Sequence, residues 1–237
     1  MSDKRLLLLS SSTVEGAGYL EYPESEIKDF LGDRVKRTLF VPFAAVTRTF
    51  DEYAEVVGAR FAELGYEVDS VHRAAAAREA VGRAEAILVG GGNTFHLLRG
   101  LYDADLIESI RERVLAGVPY IGWSAGSNVA CPTIKTTNDM PIVEPPSLHA
   151  LNLVPFQINP HYTDTHPAGH HGETREQRLE EFVKANPNVY VVGLREGSML
   201  RVEGSGISLR GGKPARIFIS GQEARECAPE ESLKFLL

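Results

Sequence analysis

Four short apolar runs constrain the fold of this chain more than any other feature: Leu6-Leu7-Leu8-Leu9, Leu39-Phe40-Val41, Ala86-Ile87-Leu88-Val89 and Tyr120-Ile121. They are too continuous to alternate between core and solvent, so each suits a strand covered on both faces. Helical patterns fill the intervals. Residues 25–31 place Ile27, Phe30 and Leu31 at helical spacing before Gly32-Asp33. After the strand at 38–42, Thr49 with Glu52 three positions on forms a capping box. Tyr53, Val56, Val57, Phe61 and Leu64 then make an apolar face that ends at Gly65. A third strand alternates over 67–71, and an alanine-rich helical stretch covers 73–83. The fourth strand, 86–89, precedes helices at 94–101 and 104–116, and the fifth ends at Gly122. This alternation predicts an α/β fold, a three-layer α/β/α arrangement around a mostly parallel sheet.

In such sheets ligands gather at the carboxyl ends of the strands, so the turns after the fourth and fifth strands are where chemistry is sought. The fifth strand runs into Gly122-Trp123-Ser124-Ala125-Gly126, a G-x-S-x-G frame followed by helix-compatible residues. That is the pattern of a nucleophile elbow, in which a strained turn projects the serine and the flanking glycines let the backbone bend. The bland alternative is a strand-to-helix turn with a serine N-cap. The fourth strand runs into Gly90-Gly91-Gly92-Asn93, whose exposed N–H groups beside a helix N-terminus suit an anion or an oxyanion hole. No Walker ending and no G-x-G-x-x-G after the first strand support nucleotide binding.

Size and charge narrow the function. The length, 237 residues, fits one catalytic domain spanning 1–237. Twenty-five basic against 32 acidic residues give a formal charge of −7, and no basic run offers nucleic acid or an anionic membrane a surface. The opening apolar run is far shorter than a membrane span or a signal h-region, and a cytoplasmic location is expected. Cys131 and Cys227 are the two cysteines, and their spacing suggests neither a disulfide framework nor a zinc site. Cys131, among Val129, Ala130 and Pro132, reads as a packing residue.

A serine nucleophile needs a base and a group that orients the base. His161 is the best-placed histidine, directly after a strand at 153–158 and the Asn159-Pro160 step. His166, His170 and His171 sit in a polar loop with no metalloprotease spacing, and no metal site is expected there. Two carboxylates can serve as the third group. Asp139 lies in Lys135-Thr136-Thr137-Asn138-Asp139, within a proline-containing excursion over 131–151, and Glu196 follows a strand at 189–194. Further strands at 199–203, 206–209 and 215–219 predict antiparallel hairpins at one sheet edge.

Taken together, Gly90-Gly91-Gly92-Asn93-Thr94-Phe95, the elbow, Cys131-Pro132-Thr133-Ile134, Thr136-Thr137-Asn138-Asp139-Met140-Pro141, Asn159-Pro160-His161 and Gly172-Glu173-Thr174-Arg175-Glu176-Gln177-Arg178 resemble the peptidase E family of α-aspartyl dipeptidases. The resemblance covers nearly the whole chain. It implies a fold similar to class I glutamine amidotransferases, hydrolysis of Asp-Xaa dipeptides without metal or organic cofactor, and a homodimer. It also implies Ser124 as nucleophile, His161 as base and an acid at Asp139, with Glu196 as the alternative. The residues themselves suggest Ala125 and either Gly91 or Gly92 as oxyanion donors. Reading an aspartate side chain requires a cation, for which Arg175 and Arg178 lead and Lys135 follows. Two other readings stay open: a cyanophycinase-like exopeptidase on the same fold, and a non-catalytic ligand-binding domain that keeps the elbow.

Overall fold

The computed structural model describes residues 4–165, 169, 171–229 and 231–237. All four apolar runs become strands: β1 (Arg5–Leu9), β2 (Arg37–Val41), then, after β3 (Glu67–Ser70), β4 (Ile87–Val89) and β5 (Tyr120–Trp123). The remaining strands are β6 (Gln157–Tyr162), β7 (Val191–Arg195), β8 (Ser198–Glu203), β9 (Gly206–Gly211), β10 (Ala215–Phe218) and β11 (Arg225–Cys227). One sheet has the order β3-β2-β4-β5-β1-β8-β9. Its first five strands are parallel, and β8 and β9 add an antiparallel edge beside β1. The mostly parallel sheet with antiparallel strands at one edge is therefore present.

Helices cover both faces because the strand side chains alternate between two cores. Leu7 and Leu9 of β1, Phe40 and Trp123 pack with Ile27 and Phe30 of α1 (Glu24–Leu31) and Val57 and Phe61 of α2 (Phe50–Leu64). Leu6, Leu8, Val41 and Val89 face the other way. They join Val81 of α3 (Ala77–Arg83), Leu97 of α4 (Thr94–Asp103), Ile110 of α5 (Ile107–Leu115) and Val129 of α6 (Ala125–Val129). The capping box at α2 forms as its sequence predicts: Glu52 N–H donates to Thr49 Oγ1 at 3.1 Å, and Thr49 N–H donates to Glu52 Oε2 at 2.7 Å. Such a cap contributes about 1 kcal/mol.

Three expectations change. The predicted strand at 153–158 begins later, at Gln157, and runs past His161 to Tyr162. Leu153 and Val154 instead donate their N–H groups to Ala130 O at the end of α6, which holds them out of any ladder. The stretch 73–83 splits into a 3₁₀ turn at Val71–Arg73 and the shorter α3. The later strands do not all edge one sheet. β6, β7, β10 and β11 form a second, four-stranded sheet of order β11-β10-β7-β6, parallel between β6 and β7 and antiparallel elsewhere. The last helix, α7 (Arg175–Ala185), packs Leu179 and Val183 on this second sheet with Val191 and Phe218.

Among the described residues no helix is long and apolar enough to cross a membrane. Both cysteines are fully buried and unpaired, and burial pushes the Cys131 thiol up to about 12. A thiol that is inaccessible and protonated is a poor nucleophile. The folded protein is therefore expected to react with Ellman's reagent at neither cysteine over about an hour near pH 8, and at both after unfolding in guanidinium. Rapid labelling of the native protein would contradict the burial.

Candidate active site

Ser124 occupies the single residue between β5 and α6, with φ 52° and ψ −110°, a conformation that L side chains rarely adopt. Its side chain makes no cap bond to the helix, so the ordinary N-cap reading does not hold. The turn is enforced by close backbone contacts. A Cβ on Gly122 would lie 2.5 Å from Gly126 O, and one on Gly126 would lie 2.1 Å from Val89 O. The strain at Ser124, roughly 1–3 kcal/mol, persists because its surroundings over-determine the turn. Its N–H donates to Leu9 O at 3.1 Å, and the Ser127 hydroxyl lies 2.7 Å from Leu9 O and 2.9 Å from Gly122 O.

His161 reaches Ser124 from the second sheet. Its Nε2 lies 2.9 Å from Ser124 Oγ, and its Nδ1 lies 2.6 Å from Glu196 Oε1. A neutral ring protonated on Nδ1 donates to Glu196 and leaves Nε2 to accept the serine hydroxyl. Glu196 follows β7 at a turn where Gly197 has φ 87°. Its neighbour Arg195 is committed elsewhere, bonded to Asp164 and Glu226 on the other side, so the Glu196 carboxylate is left to the histidine. The two side chains are 41% and 51% exposed, and a cavity of about 390 Å³ opens beside them toward Asp164 and Lys213. The pair is thus reachable from solvent.

Asp139 makes no hydrogen bond or ion pair with His161. Its Oδ2 accepts from Thr94 N–H at 2.7 Å, from the Thr94 hydroxyl at 2.6 Å and from the Thr137 hydroxyl at 3.2 Å. Thr94 opens α4, so the carboxylate sits at the positive end of that helix. Next to it, Asn93 accepts from His96 N–H and donates through Nδ2 to Met140 O at 2.9 Å. The excursion after the elbow thus clamps the glycine loop, and Asp139 is a fastening of that clamp.

The glycine loop lies against the elbow. A Cβ on Gly91 would be 3.1 Å from Ser124 Cβ, so only hydrogen separates them. Neither Gly91 N–H nor Gly92 N–H donates to a protein acceptor among the described residues, and Ala125, as the first residue of α6, has no intrahelical acceptor. One polar chain fixes the loop's tilt: Trp123 Nε1–H donates to the Tyr53 hydroxyl at 3.0 Å, which donates to Gly91 O at 3.0 Å. The sequence shows Tyr53 only as part of an apolar helix face. Its hydroxyl duty leaves no trace there, because it depends on a tertiary partner 38 residues away.

The candidate cations differ. Arg178 is exposed and lies 3.8 Å from Glu173 on the surface, and Lys135 is also exposed. Arg175, the first residue of α7, is partly buried and has no carboxylate partner among the described residues; its Nη1 lies 3.4 Å from Asn159 Oδ1, two residues before His161 on β6. Burial, with Arg178 nearby, lowers its pKa. A guanidinium at a helix N-terminus works against the helix dipole, an arrangement that an anionic ligand would relieve. His166 and His170 lie outside the described residues. Among those described, no cluster of three or more His, Cys, Asp or Glu could hold a metal ion.

The profile of Peptidase family S51 matches residues 6–210. Peptidase E of Nostoc sp. strain PCC 7120 is 57% identical over 99% of this chain and 97% of its own length. Peptidase E of Shewanella sp. strain MR-4 is 49% identical over 92% of each. The crystal structure of a peptidase from an acI-B1 Actinobacterium shares the fold, with a TM-score of 0.68 at 20% identity, covering 98% of this chain and 97% of that one.

The glycine contacts give a direct test of the loop. Gly92 has φ 134°, and a Cβ there would lie 2.3 Å from Ala44 O, whereas Gly212 faces open space. Gly92→Ala is expected to destabilise the fold by roughly 2–5 kcal/mol, and Gly212→Ala to change it by less than about 1 kcal/mol, in guanidinium unfolding. Equal stability of the two variants would contradict the packing described.

Proposed function

The chain belongs to peptidase family S51 and is a serine-type peptidase, and we propose that it removes N-terminal aspartate from Asp-Xaa dipeptides in the cytoplasm, with Ser124, His161 and Glu196 as its catalytic residues. The observation that carries this reading is the unbroken chain Glu196–His161–Ser124, with bonds of 2.6 and 2.9 Å, on a strained elbow. Ser124 Oγ attacks the scissile carbonyl while its proton passes to His161 Nε2, and Glu196 stabilises the imidazolium. The oxyanion that forms is met by Ala125 N–H and a glycine-loop N–H, from Gly91 or Gly92. The imidazolium then returns the proton to the leaving amine as the C–N bond breaks. Water, deprotonated by the same histidine, releases aspartate from the acyl-enzyme. Asp139, bonded to Thr94, acts on this chemistry only through the glycine loop.

Arg175 is the proposed partner of the substrate's β-carboxylate. It is the one candidate cation that is both partly buried and unmatched by a carboxylate among the described residues, and a guanidinium binds a carboxylate in a bidentate manner. Arg178, held near Glu173, has a lesser part. A homodimer belongs to the same proposal, supported by Met140 and Ile142, which are 76% and 50% exposed on the excursion. A monomeric mass by light scattering, in active protein, would remove it.

Hydrolysis of Asp-Leu, Asn-Leu, Glu-Leu and Ala-Leu tests the reading. Asp-Leu is expected to be favoured over Asn-Leu by about 100-fold or more in kcat/KM. Ser124→Ala should lower kcat by at least about 10⁴-fold, and Glu196→Gln should lower it far more than Asp139→Asn. A folded wild type that turns over no dipeptide would overturn the proposal. So would an Asp139→Asn loss exceeding that of Glu196→Gln.

A further inference from the structure

The nucleophile stands on one sheet and the base on another, so some group must fix the distance between them. We propose that Ser10 is a positioning residue for catalysis, holding His161 and the Glu196 strand at working distance from Ser124; this rests on the functional reading above. Ser10 directly follows β1 and is fully buried. Its hydroxyl donates to Leu194 O at 2.7 Å and accepts from His161 N–H at 2.9 Å, while its own N–H donates to Ser198 O at 3.1 Å. Leu194 lies two residues before Glu196. One hydroxyl therefore grips the backbone that carries the base and the backbone that carries the acid. The preceding carbonyl, Leu9 O, receives Ser124 N–H.

The need for this grip comes from β6. The pairing of β6 with β7 shifts register across His161, with Pro160 opposite Leu194 and Tyr162 opposite Arg195, and His161 has φ 53°. A bulged residue loses its ladder partner, and a buried N–H left unpaired costs about 1–3 kcal/mol. The Ser10 hydroxyl supplies the missing acceptor. Other side chains hold the flanking carbonyls, Asn128 at Ile158 O and Asn138 at Pro160 O, both at 2.8 Å, but Ser10 alone among the described residues takes the N–H of His161 itself. Without it the bulge is free to relax toward ordinary pairing, which turns the imidazole away from Ser124.

The test compares Ser10→Ala and Ser10→Thr with the wild type for Asp-Leu hydrolysis, with folding followed by circular dichroism and thermal melting. Ser10→Ala is expected to remain folded, to lose roughly 10- to 100-fold in kcat and to keep KM within about threefold, since misplacement by about 1 Å can cost 100-fold. Ser10→Thr, which keeps the hydroxyl, should recover kcat to within about fivefold of wild type, a rescue that mere filling of space would not give. A folded Ser10→Ala with kcat within about twofold of wild type overturns the inference, and so does a folded Ser10→Thr as impaired as Ser10→Ala. Should Ser10→Ala not fold, Ser10→Cys preserves the volume with a weaker acceptor; a kcat well below wild type supports the inference, and an unchanged one overturns it. Absence of turnover in the wild type would instead strike at the functional reading itself.

Discussion

The end of β1 is the joint on which the two sheets are assembled. Leu9 O and the Ser10 hydroxyl, adjacent along the chain, point to the two halves of the candidate site: Leu9 O to the elbow through Ser124 N–H and the Ser127 hydroxyl, and Ser10 Oγ to β6 and β7. β1 can serve in this way because it is central. It pairs with β5, the elbow strand, on one side and β8 on the other, and all four of its leucines are completely buried. Polar groups at the end of so dry a strand are strongly held, since leaving any of them unpaired costs more than an ordinary hydrogen bond gains.

Strain and support go together across the site. Ser124 and His161 both carry φ values near +50°, and each is braced by partners from other elements. At the elbow the bracing is steric, with Gly122 and Gly126 pressed against backbone. At the histidine it is a hydrogen bond to a buried hydroxyl. The glycine loop is braced from both sides, by Tyr53 on one and by Asp139 and Asn93 through the excursion on the other. The serine hydroxyl and the imidazole are thereby held 2.9 Å apart, with the glycine loop packed against the elbow.

Much of this was legible in the chain. The apolar runs identify the parallel strands, and the G-x-S-x-G frame identifies the elbow, because both rest on local sterics and burial. His161 is recognisable from its place near a strand end. The choice between Asp139 and Glu196 is not, because it turns on which carboxylate already has partners. Thr94 and Thr137 satisfy Asp139, while Asp164 and Glu226 draw Arg195 away from Glu196. The second sheet is equally hidden, since β6 is read four residues early when buried Leu153 and Val154 pass for strand. Ser10 looks like the polar end of a strand, and Arg175 like its exposed neighbour Arg178 until burial separates them.

In the proposed mechanism Glu196, through His161, activates Ser124. The most direct measurement is the rate at which a fluorophosphonate reacts with the protein, with the adduct located by peptide mass mapping, because it needs no knowledge of the substrate. A single adduct is expected on Ser124, formed at least about 100-fold more slowly in Glu196→Gln and less than about tenfold more slowly in Asp139→Asn. An adduct elsewhere, or a Glu196→Gln variant that reacts as fast as wild type, would contradict it.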